Sequence, residues 1–133
     1  MKRIFVKCII CISMLLVVGS GICQNSPNSK LKITGIYSNM QYNAESGDVL
    51  GQEIFIVFSR DGYFAILQNS EGEPAVPVVV PLKVLGSNIY FHVPSNLDSR
   101  GNFQGVITGA ELRGAFSGND QKVELKRKNS YWQ

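Results

Sequence analysis

His92 is the one histidine of the chain, and it stands two positions after Tyr90. In a strand that spacing puts both side chains on one face. An imidazole works as a general base only with a nucleophile and an orienting group in reach, and no Ser or Asp motif supplies them. As a zinc ligand it needs further His or Cys companions. The ten carboxylates are scattered. Glu45, Asp48 and Glu53 gather around one polar stretch, Glu71 and Glu73 around another. A carboxylate pair hydrolyses a glycosidic bond only at a fixed separation. A calcium loop needs oxygen ligands in a set order with a glycine at a set place, and the stretch 43–48 lacks that order. The expectation is a protein that is not an enzyme, with no catalytic residue, no metal ligand and no cofactor. His92 is then a surface residue, and both carboxylate groups are solvated turns.

Binding is easier to place than reaction. Gly105 and Gly114 sit at matching distances from the Gly109-Ala110 turn, with Phe103 and Phe116 just beyond them. Two glycines flanked by large rings make a notch in an apolar face. Phe103, Gly105, Gly114 and Phe116 are therefore the expected ligand contacts, unless a core side chain fills the notch, as is usual in small barrels. Tyr131 and Trp132 end the chain after a basic run and are the expected partner contacts, since aromatic side chains commonly anchor interfaces. They are equally suited to folding back over a barrel mouth.

The elements that must position these residues begin after a leader. Lys2, Arg3 and Lys7 precede an apolar run from Ile9 to Val18, followed by Gly19, Ser20 and Gly21. That is the pattern of a secretory signal peptide over residues 1–23, and the run is shorter than the roughly 20 residues of a membrane span. The protein is accordingly expected in the periplasm or outside the cell. All three cysteines, Cys8, Cys11 and Cys23, fall in this leader, so cleavage after Cys23 leaves no thiol. Lipidation of Cys23 is the alternative, but Ile22 stands where Gly, Ala or Ser usually precedes a lipidated cysteine. The formal charge of +3 comes from 13 basic and 10 acidic residues. Without the three leader cations the two signs balance, which argues against a nucleic-acid partner. The local cluster Lys122, Lys126, Arg127 and Lys128 reads as a solvated edge strand.

Residues 24–30 are polar and read as a disordered lead-in to a single domain over 31–133. From there the chain is short apolar runs divided by turn residues, the mark of an all-β fold. Strands are expected over 31–37, 49–58, 63–68, 76–85, 89–93, 102–108, 111–117 and 121–127. Most are shorter than the roughly 9–11 residues a membrane-spanning strand requires. The stretch 39–48 is a long polar loop, with Met40 and Tyr42 as a possible extension of the first strand.

A two-residue type II′ turn at Gly109-Ala110 pairs Ile107 with Leu112, Gly105 with Gly114 and Phe103 with Phe116. Gly86-Ser87 pairs Val84 with Ile89, Leu82 with Phe91 and Val80 with Val93. Asp61-Gly62 pairs Phe58 with Ala65 and Ile56 with Leu67. Asn119-Asp120 pairs Phe116 with Val123 and Gly114 with Leu125. Pro77 and Pro81 mark an irregular strand or a seam. Hairpins in series with one apolar face close most simply into a small antiparallel up-and-down β-barrel of about eight strands, with a two-sheet β-sandwich as the alternative. The stretch 54–58 is apolar on both faces, so the long loop, the N-terminal segment or a partner is expected to cover it.

Phe103-Gln104-Gly105, Leu112-Arg113-Gly114-Ala115-Phe116 and Val123-Glu124-Leu125-Lys126-Arg127 resemble the back half of small, uncharacterised lipocalin-like barrels exported by bacteria. In that pattern a Gly-x-aromatic strand and a polar turn lead to a last strand ending in Leu-x-Arg. The tail Ser130-Tyr131-Trp132-Gln133 is similar to the end of some such proteins. The resemblance implies a barrel with an interior pocket and names no catalytic residue. The function expected is an exported binding protein for an apolar small molecule or a carbohydrate. The alternative is a protein-interaction module, such as an inhibitor or immunity-type partner of a secreted enzyme.

Overall fold

The computed structural model describes residues 30–118 and 122–133. The leader, the cysteines, most of the lead-in and the Asn119-Asp120 turn lie outside the described residues. Among the described residues nine strands follow one another with no helix between them: β1 (Gly35–Ser38), β2 (Gln41–Tyr42), β3 (Val49–Ser59), β4 (Gly62–Gly72), β5 (Val78–Leu85), β6 (Asn88–His92), β7 (Asn102–Ile107), β8 (Glu111–Phe116) and β9 (Lys122–Arg127). Each strand from β3 to β8 pairs antiparallel with the next, and β1 pairs with both β3 and β9. The result is a closed antiparallel barrel of eight strands, with β2 as an extra strand on β3.

The β7–β8 hairpin has the expected register: Ile107 opposite Leu112, Gly105 opposite Gly114 and Phe103 opposite Phe116. Its turn differs from expectation, because Gly109 is not among the glycines with positive φ. Thr108 holds the turn instead. Its N–H donates to the Glu111 carbonyl at 2.8 Å, and its hydroxyl accepts from the Glu111 N–H at 3.2 Å. Gly86 does take positive φ, at 64°, and Val84 faces Ile89. That ladder stops at Lys83–Tyr90, so the expected pairs Leu82–Phe91 and Val80–Val93 are not made. Pro81 sits where β5 parts from β6, and it has no N–H to offer a ladder.

Two other hairpins are displaced by two residues. Ser59 faces Gly62, so Ile56 meets Ala65 and Ile54 meets Leu67. The turn is therefore Arg60-Asp61, with the Ser59 hydroxyl accepting the Asp61 N–H at 3.1 Å. In β8–β9, Gly114 meets Val123 and Leu112 meets Leu125. There Gly118 is held against the preceding loop, its N–H donating to the Arg100 carbonyl at 2.9 Å. A shift of two keeps every side chain on its face, since the period of a strand is two.

Strand limits moved where side chains claimed backbone groups. Residues 31–34 are not in a strand, because the Arg127 guanidinium takes the Lys32 and Thr34 carbonyls. β4 runs on to Gly72, and β3 and β4 each have 11 residues. Residues before β5 fold back on β4, with the Ala75 N–H donating to the Asn69 carbonyl at 2.8 Å. β9 is not an edge strand. It closes the barrel through Tyr37–Arg127 and Ser38–Lys126.

The interior is filled by inward-facing side chains from all eight barrel strands. Phe91, Phe103 and Phe116 occupy one side, with the Phe91 and Phe103 rings stacked 4.7 Å apart and Phe116 4.9 Å from Phe103. The Phe103 ring lies across the two facing glycines. A Cβ on Gly105 would stand 2.6 Å from Phe103 Cε1, and one on Gly114 would collide with the same ring. The notch is thus filled by Phe103, two positions from Gly105 on the same strand.

Candidate functional site

The outer face of β6, β7 and β8 carries a groove of about 800 Å³, within the usual range of roughly 300–1,000 Å³ for ligand sites. Cross-strand pairing sets its rows. Tyr90, Gln104 and Ala115 form one, His92 and Asn102 a second, Val106 and Arg113 a third. The short Ala115 and Ser117 side chains and the bare backbone of Gly105 and Gly114 form its low middle. Tyr90, Gln104 and Arg113 supply the long side chains around them. The groove therefore combines one aromatic and several aliphatic surfaces with imidazole, amide and guanidinium groups.

Several of these polar groups are held in place. His92 Nδ1 lies 2.8 Å from Asn102 Oδ1. An amide oxygen only accepts, so Nδ1 is the donor of this pair. Arg113 reaches Glu111 at 3.0 Å and Glu124 at 3.2 Å, and Lys126 reaches Glu111 at 2.9 Å. The Lys126 hydrogen bond, with help from Arg113, holds the Glu111 carboxyl below the usual carboxylate range, and Glu111 raises the Lys126 ammonium in turn. This lattice of alternating charges fixes the Arg113 end of the groove.

Phe103, Gly105, Gly114 and Phe116 all line the groove, but from beneath. The Phe103 and Phe116 rings point into the barrel and are almost wholly buried. The side chains that face the groove from outside include Tyr90 and His92, which sequence reasoning set aside. They also include Asn102, Gln104 and Arg113, which it did not assign to a site. The signal was present at the alternate positions of the same strands, where the outward residues include two amides, an imidazole and a guanidinium.

Tyr131 and Trp132 are placed by a buried carboxylate. Glu53 accepts from the Ser130 hydroxyl at 2.7 Å and from the Tyr131 N–H at 3.1 Å. The two aromatic rings meet edge to face at 4.8 Å, and Trp132 remains 44% exposed. Glu53 shares the outer face of β3 with Phe55, which heads a directly paired row of Ile36, Phe55, Ile66 and Val79. Phe55 is 38% and Val79 59% exposed, so the described residues do not cover the doubly apolar stretch 54–58.

The basic cluster is largely engaged in structure. Lys126 pairs with Glu111 and Glu124. Arg127 donates to the Lys32 and Thr34 carbonyls and to the Tyr37 hydroxyl, and stacks 4.7 Å from the Tyr37 ring. Lys128 donates to the Met40 carbonyl at 3.2 Å. Among the described residues no group of three or more His, Cys, Asp or Glu is placed to hold a metal ion, and no helix is long and apolar enough to cross a membrane. No protein-family model, no curated protein and no solved structure matches the chain.

Proposed function

We propose that the protein is an exported, non-enzymatic binding barrel that holds a carbohydrate on the outer face of β6, β7 and β8. The observation that carries this reading is the groove of about 800 Å³ with apolar and planar polar groups side by side. A pyranose ring has an apolar C–H face and a rim of hydroxyls. Tyr90, Val106 and Ala115 suit the first; His92, Asn102, Gln104 and Arg113 suit the second, because hydroxyls both donate and accept. The three packed phenylalanines leave the ligand outside the barrel, which sets this reading apart from the interior pocket of lipocalin-like proteins. Export rests on the leader, whose removal balances the charge.

Titration with an oligosaccharide panel tests the reading. Binding that is lost in Tyr90→Ala and Gln104→Ala, with unchanged thermal unfolding, supports it. Binding only of apolar small molecules, or no binding, overturns it. Export has its own test in the mass of the mature N-terminus, where a start at Gln24 is expected and a lipidated Cys23 would replace release by anchoring.

A second reading, a protein-interaction module, is favoured by the uncovered row Ile36–Phe55–Ile66–Val79 beside Tyr131 and Trp132. A specific partner captured from periplasmic extract, and lost with both Trp132→Ala and Val79→Asp, would favour it over the carbohydrate reading.

A further inference from the structure

We propose that the barrel end closed by Arg100 is a second binding site, for a neutral, oxygen-rich ligand of monosaccharide size. It stands on different residues from the groove and does not depend on it. A polar cavity of about 470 Å³ opens between the 98–100 loop and the adjoining parts of β3 and β4. Arg100 is nearly buried there. Its Nε and Nη2 reach Asp98 Oδ2 at 2.7 and 2.6 Å, and its Nη1 reaches Gln52 Oε1 at 3.2 Å and Asn69 Oδ1 at 3.1 Å.

These bonds decide what the cavity presents. Both amides turn their oxygens to Arg100, so both amide nitrogens point away from it. Gln52 is 7% exposed, and its Nε2 has no hydrogen-bond partner among the described residues. That nitrogen is not sealed off, because the one sealed and unpartnered side-chain atom among the described residues is Arg127 Nε. Gln52 and Asn69 both line the cavity, and neither amide nitrogen is sealed off from solvent. Both amides thus have N–H groups free to donate to an occupant of the cavity.

The charge of the lining narrows the ligand. The Asp98 carboxylate is committed to the Arg100 guanidinium and to its backbone N–H at 2.9 Å. Glu71, exposed on the cavity wall, is left as a free carboxylate. Its charge repels an anion. The inward amide N–H groups disfavour an ammonium or a metal ion. A neutral ligand that accepts from the amides and donates to Glu71 meets both demands, and a sugar diol does so with adjacent hydroxyls.

The test follows the side-chain amide signals of Gln52 and Asn69 in the 15N-labelled protein. The probes are D-glucose and N-acetyl-D-glucosamine, with sodium acetate and methylammonium chloride as charge controls. The expected result is saturable movement of both signals with at least one sugar. Glu71→Gln, an exposed change that leaves the fold alone, should weaken that response about tenfold, the loss of one hydrogen bond to a charged group. Tyr90→Ala should leave it unchanged. The proposal is overturned if neither sugar moves the signals up to about 50 mM, a concentration that would reveal even millimolar affinity. It is equally overturned if acetate or methylammonium moves them as strongly, if Glu71→Gln leaves the response unchanged, or if Tyr90→Ala abolishes it.

Discussion

Replacing Arg100 with methionine should be among the most damaging single changes in this barrel. The methionine fills much of the same space over Phe116, whose ring lies 4.3 Å from the guanidinium carbon. It leaves Asp98, Gln52 and Asn69 without their shared donor. The Asp98 and Arg100 side chains are 17% and 10% exposed, so the pair is close to a buried one. Breaking such a pair costs about 3–5 kcal/mol, because one charge stays behind without compensation. For a domain of this size that corresponds to a fall in Tm of roughly 12–20 °C.

The acid side of the stability curve should change as well. Burial alone would raise the Asp98 pKa, but the Arg100 side chain and N–H bring it below the ordinary value. A depressed folded-state pKa contributes stability above the unfolded value of about 3.9, and that stability is lost as pH falls through the folded value. Thermal unfolding followed by circular dichroism from pH 7 down to about pH 2 would read both effects. Arg100→Met should lose stability at neutral pH and show a shallower decline below pH 4. Arg100→Lys should fall between the variant and the parent, since one ammonium cannot reproduce the fork of contacts. A Tm for Arg100→Met within about 4 °C of the parent, or an unchanged acid decline, would refute the reasoning.

Gly105→Ala should cost about 1–3 kcal/mol in denaturant unfolding, as overpacking does, because its Cβ would stand 2.6 Å from the Phe103 ring and 2.8 Å from the Arg113 carbonyl. Arg127→Met should cost about 2 kcal/mol and speed amide exchange at Tyr37 and Ser38. The same variant should raise the Tyr37 titration further in a UV-monitored pH series, since burial pushes that hydroxyl up while Arg127 pulls it down. Glu53→Ala should release the tail, seen as a red shift of Trp132 fluorescence, with the barrel still folded.

The barrel was legible in the sequence because its hairpins carry two signals that agree. In β7–β8 the turn residues and the alternation of Phe103, Gly105 and Ile107 with polar neighbours demand one register. Where only the turn spoke, as at Asp61-Gly62, the register moved by two without disturbing any face. Alternation is blind to that shift. The strand start at residue 31 failed because a side chain 95 positions away takes the Lys32 carbonyl, a contact that no local pattern encodes. The site was half legible. The glycine notch led to the right strands, but the inward face drew attention because apolar periodicity is the stronger signal. The outward amides and guanidinium look like ordinary surface until pairing aligns them. Arg100 offered only the nearby Asp98 as a local partner: Gln52 and Asn69 lie on β3 and β4, and only closure brings them to the loop.

The seam between β1 and β9 is only two residue pairs long, with Arg127 as its brace. It joins the first barrel strand to the last, so the ring cannot close until the whole chain has been delivered. As the chain folds, the hairpins from β3 to β8 can zip locally, while the most distant pairing waits for Arg127. Closing a loop of this length is entropically slow relative to a hairpin. An open barrel would meanwhile expose the β1 and β9 edges to any strand-binding chaperone or to another copy. Joining the two ends with a short linker and reopening the chain at the Gly86-Ser87 turn would make the β1–β9 pairing local and β5–β6 the closing pair, so protection of the Tyr37 and Ser38 amides should arise earlier in refolding of that circular permutant than in the parent.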